Sequence, residues 1–325
     1  MLLAVTVAVL WLWPSNEFLL LPDKARPVAP LVQVRGGKDP TGPGQIYFDA
    51  IIIRRAKLFE KLFPWIHRDA TLVPEESVNP PGVNDTERLK EDLRAMSLSQ
   101  DTAAAVALKH LGYNVVLRPT GARVTDVLPG SPAAKAGLEP TDVIVAVDGR
   151  PVRTTPDLRR SISRHKPGEI VRLSVRAPKG LEELRSRTVA DPHNRKRPVI
   201  GVLVDQASQV KLPFPVKIDA GSIGGPSAGL AFALDIVEEL NHDITRGHKV
   251  AATGEINADG SVSPIGGMKQ KIFGARKAGV DVFLVPAGDN AQVARKYQGD
   301  VRVIPVESFQ QALHALATLP PKTQK

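Results

Sequence analysis

The residue with the clearest potential for chemistry is Ser227, in the stretch GGPSAGLAFAL at residues 224–234. Pro226 suits the first turn of a helix, where its missing N–H would have had no partner. Ser227 is therefore predicted at the N terminus of an apolar helix. There the main-chain N–H groups of Ser227 and Ala228 could stabilise a developing oxyanion. These features predict a serine nucleophile, provided that the chain also supplies a base to take the hydroxyl proton.

Two other interpretations of this stretch stay open. The turn could be purely structural, or it could cradle a phosphate at the helix N terminus. The helix from Leu230 to Ile236 offers no basic side chain to complete a phosphate site. The nucleophile interpretation is therefore favoured over the anion site.

Histidine and lysine are the candidate bases. A Ser-His-Asp triad would draw on His242 or His248 with Asp243, but the G-x-S-x-G pattern of nucleophile elbows is absent around Ser227. Lys269 follows a glycine turn in SPIGGMKQK, among apolar residues. Burial among such residues lowers the pKa of a lysine amine toward neutrality, as a general base requires. Lys269 is therefore a second candidate base, although a lone lysine in a loop is usually a surface charge.

Two phrases, GGPSAGLAFAL and TGEINADGSVSPIGGMKQKI, together resemble the proteolytic domain of Lon, the S16 Ser-Lys peptidases, over residues 199–320. The resemblance implies that Ser227 is the nucleophile and Lys269 the base. It also implies that Thr253 orients the lysine amine. The chain departs from the Lon pattern at Gly225, where Lon commonly has aspartate. Asp219 could take the place of that aspartate, although its spacing from Ser227 does not by itself favour this role.

A second resemblance covers about 65 residues before the Lon-like region. The phrase GSPAAKAGLEPTDVIVAVDGRPV and the order strand, short helix, strand, helix, strand resemble a bacterial PDZ domain. That family implies a groove that takes a peptide as an added strand. The candidate carboxylate loop is LGYNV, with Gly112, Tyr113 and Asn114 as peptide-binding residues. Alternatively, the PDZ domain only positions or inhibits its neighbour.

The N-terminal residues are apolar enough to suggest a membrane anchor. Met1–Leu21 approaches the length needed to cross a bilayer as a helix, and Trp11 and Trp13 suit a membrane interface. A buried core helix or a signal peptide are the alternatives, although no basic segment precedes the run and no A-x-A site follows it. Residues 22–44 are rich in Pro and Gly and are predicted to be a linker.

Composition narrows the function classes. The chain has 325 residues, a formal net charge of +9, 5% aromatic residues and no cysteine. Disulfides, thiolate nucleophiles and cysteine-based metal sites are thereby excluded. The basic charge is dispersed, so we expect no nucleic-acid partner. No Walker pattern is present, and neither a cofactor nor a metal is predicted.

The predicted fold class is a multidomain α+β and α/β chain. Its predicted domains are a transmembrane anchor at residues 1–21, a linker with an N-terminal β/helical segment at 22–107, a PDZ domain at 108–190 and a Lon-type proteolytic domain at 195–320.

This organisation resembles the membrane-anchored bacterial PDZ–Lon proteins. The resemblance implies an ATP-independent serine endopeptidase of unfolded, secreted or membrane proteins. It also implies an extracytoplasmic soluble part on a single-pass membrane protein, and a homo-oligomer is possible. The alternative is a catalytically silent PDZ scaffold.

Overall fold

The computed structural model describes residues 10–37, 44–79, 84–192, 194–241 and 243–322. By its internal contacts the chain divides into two compact units. The first unit combines the residues up to Asn114 with Leu212–Lys325, and the second is Val115–Lys211. The second unit thus interrupts the sequence of the first. These limits differ from the predicted PDZ and Lon-type boundaries, because residues 108–114 belong to the first unit and residues 195–211 to the second.

The N-terminal part of the first unit mixes short strands with one long helix. Helix α2 begins at a capping box, in which the Asn84 side chain accepts hydrogen bonds from the main-chain nitrogens of Thr86 and Glu87. The elements of this part are β1 (Pro14–Pro22), β2 (Arg26–Pro27), β3 (Val32–Val34), β4 (Gln45–Phe48), β5 (Ile51–Lys57), α1 (Leu58–Leu62), β6 (Thr71–Pro74) and α2 (Asp85–His110).

The prediction of a transmembrane helix over Met1–Leu21 is wrong for its second half. Residues 10–12 are helical, but β1 then pairs antiparallel with β5 on one side and with β6 on the other. Phe18 and Leu19 are buried in this sheet, so the run FLLLP is apolar because it is a central strand. Residues 1–9 lie outside the described residues. In the described part of the chain, no helix has both the length and the apolar character needed to cross a membrane.

The second unit is an antiparallel sheet with two helices. Its strands follow the order β11-β10-β8-β7-β14, with β9 paired to β8. Asp148 and Gly149 both have positive φ between β8 and β9, as a tight two-residue hairpin turn requires. The elements are β7 (Val116–Val127), α3 (Pro132–Lys135), β8 (Val143–Val147), β9 (Arg150–Pro151), α4 (Thr155–Ile162), β10 (Ile170–Ala177), β11 (Gly180–Arg187), β12 (Val189–Asp191), β13 (Asn194–Val199) and β14 (Val202–Lys211).

The C-terminal part of the first unit alternates strands and helices, as predicted. Its elements are β15 (Val216–Ile218), α5 (Gly229–Asn241), β16 (Lys249–Ala252), β17 (Glu255–Ile256), β18 (Val262–Ser263), α6 (Met268–Ala278), β19 (Val282–Pro286), α7 (Asp289–Tyr297), β20 (Arg302–Val306) and α8 (Phe309–Ala317).

The main sheet of the first unit draws on both parts of its sequence. Its order is β2-β4-β16-β19-β20, and β4, β16, β19 and β20 run parallel. Val250 and Phe283 are fully buried in it, as expected for parallel strands covered on both faces. Helix α5 packs against β4, and the rings of Phe232 and Phe48 lie 6.2 Å apart.

The prediction that residues 22–44 form a linker is wrong for the part that the structure describes. Strand β2 pairs with β4 in the main sheet, and β3 pairs with β15. Val28 and Val32 are buried between these strands and their neighbours. The prolines of this segment shape short strands and a 3-10 turn at Ala29–Leu31 inside the unit that carries Ser227.

Candidate functional site

Ser227 lies where a tight turn becomes the buried helix α5. Gly225 has φ +85°, a backbone conformation that glycine tolerates best, and the 3-10 turn Pro226–Ala228 follows it. Proline thus occupies the first position of the turn, as the sequence predicts. The main-chain nitrogens of Ser227 and Ala228 lie in this turn, and their role toward an oxyanion stays a prediction.

Helix α2 holds this turn from the side. The Gly225 N–H donates to the main-chain oxygen of Asp92 at 2.7 Å, and the Ser99 hydroxyl donates to the Pro226 oxygen at 2.9 Å. A Cβ at Gly224 would come within 2.5 Å of the Asp92 Cβ. The glycines before Ser227 are therefore needed for a close helix contact as well as for the turn. The sequence pattern did not reveal this contact.

Thr253 contacts Ser227 through the serine main chain. The fully buried Thr253 hydroxyl donates to the Ser227 oxygen at 3.1 Å, and the Gly254 N–H donates to the same oxygen at 2.8 Å. The predicted role of Thr253 in orienting a lysine amine is not the arrangement found, because its hydroxyl is used on the serine carbonyl. Thr253 therefore helps to hold the turn that carries Ser227.

The lysine beside Ser227 is Lys271, not the predicted Lys269. The Lys271 Nζ lies 2.9 Å from the Ser227 Oγ and also donates to the main-chain oxygen of Asp49 at 2.8 Å. The Lys269 amine instead donates to the main-chain oxygen of Ala70 at 2.8 Å. Pairing Lys269 with Ser227 was thus wrong, since the two lysines leave helix α6 on different faces.

Helical periodicity is the signal that distinguishes the two lysines. Met268, Ile272 and Ala275 are buried and follow the i, i+4, i+7 spacing of one helix face. Lys271 stands at i+3 on that same face and is buried, whereas Lys269 is offset by one residue, or about 100°. The phase of α6 would have identified the buried lysine from the sequence.

The surroundings of Lys271 favour a neutral amine. Burial lowers the pKa of Lys271 to about 8, and the charge of Asp49 opposes this change. Burial likewise raises the pKa of Asp49 to about 7; Lys271 lowers it and Asp23 raises it further. A lysine with such a pKa can accept a proton near neutral pH, which an ordinary surface lysine does poorly.

The histidine triad considered from the sequence does not form with His248. Its Nε2 lies 2.8 Å from the Pro320 oxygen, and its Nδ1 lies 3.8 Å from the Asp281 carboxylate. His242 lies outside the described residues. Among the described residues, no group of three or more histidine and acidic side chains is arranged to hold a metal ion.

The predicted carboxylate loop does not belong to the second unit. Gly112 ends helix α2 with φ +82°, and the Tyr113 ring packs edge-on against Phe214 at 5.1 Å. Gly112, Tyr113 and Asn114 all lie in the first unit, because they complete the end of α2. As peptide-binding residues of the PDZ-like unit they are therefore misplaced.

Another glycine loop lies inside the second unit, directly before its edge strand β14. Gly201 has φ +82°, its oxygen accepts from the Leu128 N–H at 3.0 Å, and the Ile200 oxygen accepts from the Ala133 N–H at 2.9 Å. A Cβ at Gly201 would meet the Ser131 Cβ at 2.5 Å. The apolar-glycine-apolar sequence VIGV at residues 199–202 was the signal for this loop.

Two protein families match parts of this chain. Residues 203–318 match the Lon protease (S16) C-terminal proteolytic domain, and residues 123–176 match the PDZ domain. The chain thus contains a Lon-type proteolytic region and a PDZ region in a mixed α/β architecture. The first match includes both Ser227, in the turn before α5, and Lys271, on α6.

Curated relatives are Lon proteases. Lon protease 2 of Bacillus subtilis is 39% identical over 121 residues, covering 37% of this chain and 21% of the relative. Lon protease 2 of Herpetosiphon aurantiacus is 34% identical over 108 residues, covering 32% and 13%. The matched part therefore spans about a fifth or less of these relatives. These matches support the predicted enzyme class, a Lon-type serine protease.

Solved structures similar to part of this chain include the PDZ domain of the SdrC-like protein from Listeria innocua. It is 26% identical and covers 27% of this chain and 96% of that one, with a TM-score of 0.25. A solution structure from Geobacillus thermodenitrificans is 29% identical, covering 26% and 97%, with a TM-score of 0.24.

Proposed function

We propose that this chain is an ATP-independent serine endopeptidase, with Ser227 as nucleophile and Lys271 as general base. The observation that carries the proposal is the 2.9 Å separation between the Nζ of the buried Lys271 and the Oγ of the partly buried Ser227. This distance lies within the range needed for proton transfer. The 325 residues contain no Walker pattern, so we propose that cleavage does not depend on ATP bound to this chain.

The reaction follows from these two side chains. The neutral Lys271 amine accepts the Ser227 proton while the Ser227 oxygen attacks the substrate carbonyl carbon, and the carbonyl electron pair moves to its oxygen. Main-chain N–H groups of Ser227 and Ala228 stabilise that oxyanion. The Lys271 ammonium then protonates the leaving amine as the C–N bond breaks. Water, activated by the same amine, hydrolyses the acyl-enzyme.

The proposed substrates are unfolded proteins or peptides, and the second unit is proposed to capture them. Strand β14 is an edge strand of its sheet, and helix α4 packs beside it. An extended peptide could pair with the free edge of β14, with its carboxylate near the loop at Gly201. Secreted or membrane substrates, membrane attachment, an extracytoplasmic location and a homo-oligomer stay predictions.

Three single substitutions test the catalytic assignment. Cleavage of a fluorogenic unfolded polypeptide is measured for Ser227→Ala, Lys271→Met and the matched control Lys269→Met. We expect the first two to lower kcat/KM by about 10⁴-fold or more, because both act in one unit. Lys269→Met should retain activity within about threefold, since its amine donates to the Ala70 oxygen and lies over the Tyr297 ring, away from Ser227. A wild-type rate of cleavage in Lys271→Met would show that Lys271 is not the general base.

The silent scaffold makes a different prediction in the same experiment. A chain without activity would give no turnover in the wild type, no labelling of Ser227 by a fluorophosphonate, and unchanged binding of a peptide to the second unit. Labelling that is lost in both Ser227→Ala and Lys271→Met would exclude the scaffold as the whole function.

A further inference from the structure

Asp49 is a buried carboxylate that the reaction above does not use. It follows β4 directly, the residue is 3% exposed, and neither carboxylate oxygen has a hydrogen-bond partner among the residues that the structure describes. Its main-chain oxygen, in contrast, accepts a hydrogen bond from the Lys271 amine. Burying a carboxylate without partners is costly, and such groups in folded proteins usually have a reason.

The Asp49 carboxylate lies against the helix that carries Lys271. Gly274 stands one turn after Lys271 on α6, and a Cβ at Gly274 would meet the Asp49 Oδ1 at 3.2 Å. The same Cβ would meet the main-chain oxygen of Asp23 at 2.2 Å. Only glycine at this position lets the segments that carry Asp23 and Asp49 approach the helix. The close approach brings the carboxylate beside the face from which Lys271 projects.

Two charged groups act on Asp49. Lys271 stabilises its ionised form, and Asp23 opposes it. The Asp23 carboxylate has its own partners, since it is ion-paired with Arg26 and accepts from the Lys24 N–H. Lys271 is thus a cation that acts on Asp49, and both residues are buried.

On the basis of the proposed function, we infer that Asp49 is a positioning residue that supplies the counter-charge for the Lys271 ammonium formed during acylation. When the Ser227 O–H bond breaks and the new N–H bond forms on Lys271, a positive charge develops in a buried place. An ionised Asp49 stabilises that charge until the proton passes to the leaving amine. Its main-chain oxygen meanwhile holds the amine toward Ser227.

The inference predicts a shift in pH dependence that a merely structural role would not cause. In Asp49→Asn the shape is kept and the charge is lost, so the ammonium of Lys271 is less favoured. We expect the acid limb of kcat/KM to move to lower pH by about one unit. The plateau value of kcat should fall about tenfold or more, because the developing ammonium loses its counter-charge.

Asp69→Asn is the matched control. The Asp69 carboxylate lies 2.8 Å from the amine of Lys277, which stands on α6 as Lys271 does. This ion pair is on the protein surface. Its loss should leave the acid limb and the plateau close to wild type, because surface ion pairs contribute little. If Asp49→Asn does not fold, as judged by circular dichroism, Asp49→Ser removes the same charge and should give the same shift.

The outcomes separate this inference from the function on which it rests. An unmoved acid limb in Asp49→Asn, with or without a lower kcat, would overturn the role of Asp49 while Lys271→Met still showed the base to be essential. Wild-type activity in Lys271→Met would instead remove the proposed dyad. An equal shift of the acid limb of kcat/KM in Asp49→Asn and Asp69→Asn would show that Asp49 has no specific role as a counter-charge.

Discussion

Raising the pH from 6 to 9 is the perturbation that most directly tests Lys271 as a base. With a pKa of about 8, about 1% of the Lys271 amines are neutral at pH 6 and about 90% at pH 9. If the neutral amine is the active form, kcat/KM should rise about 90-fold over this range, reach about half of its maximum at pH 8 and level off near pH 9. An amine with an ordinary pKa would instead give a rise of about 1000-fold without a plateau.

Initial rates at substrate concentrations far below KM report this profile for the free enzyme. They are measured at constant ionic strength, with Lys269→Met as the control that should keep the same limb. A limb centred near pH 6.5 would indicate a histidine base. A flat profile from pH 6 to 9 would refute the reasoning, because no proton acceptor would then titrate where Lys271 is expected to.

Three further substitutions test the supports of the site. Thr253→Val removes one of two hydrogen bonds to the Ser227 oxygen, so kcat should fall about tenfold with KM little changed, whereas a change in KM alone would argue against a positioning role. Gly225→Ala places a side chain at φ +85°, so it should lower the unfolding free energy by about 1–2 kcal/mol in urea titrations. The rate of cleavage should fall by more than the loss of folded protein accounts for. Burial, with Glu239 and Glu238 nearby, raises the pKa of Asp235 to about 8, so its favourable contribution to stability is present in acid and lost as pH rises from about 4 to 8. The unfolding free energy of Asp235→Asn relative to wild type should therefore rise by about 2–4 kcal/mol between pH 5 and pH 8, as measured by urea unfolding. The same difference between variant and wild type at both pH values would contradict this.

The sequence predicted the site where local chemistry is explicit. Ser227 lies in a turn whose geometry can be predicted from its glycine and proline residues. The phrase GGMKQK contains two lysines, Lys269 and Lys271, and the glycine turn before them does not distinguish one from the other. Local composition cannot show which side of α6 meets Ser227, but the apolar spacing of Met268 and Ile272 does.

Tertiary contacts determine what the sequence could not show. Asp49 follows an ordinary strand, and nothing in its neighbourhood points to a lysine more than two hundred residues later. The run FLLLP has the composition of a membrane segment as well as that of a central strand. Pairing of β1 with β5 and β6 decides between them, because hydrogen bonding to distant segments outweighs local preference.

The order in which the ribosome releases the segments of the main sheet has a consequence for the cell. Strand β4 and Asp49 emerge before the PDZ-like unit, whereas β16, β19 and Lys271 emerge after it. Chains fold progressively as they are synthesised. The pairing of β4 with β16 must therefore wait until the intervening unit has been made. The segments that carry Asp49, Ser227 and Lys271 can therefore come together only late in the synthesis of this chain.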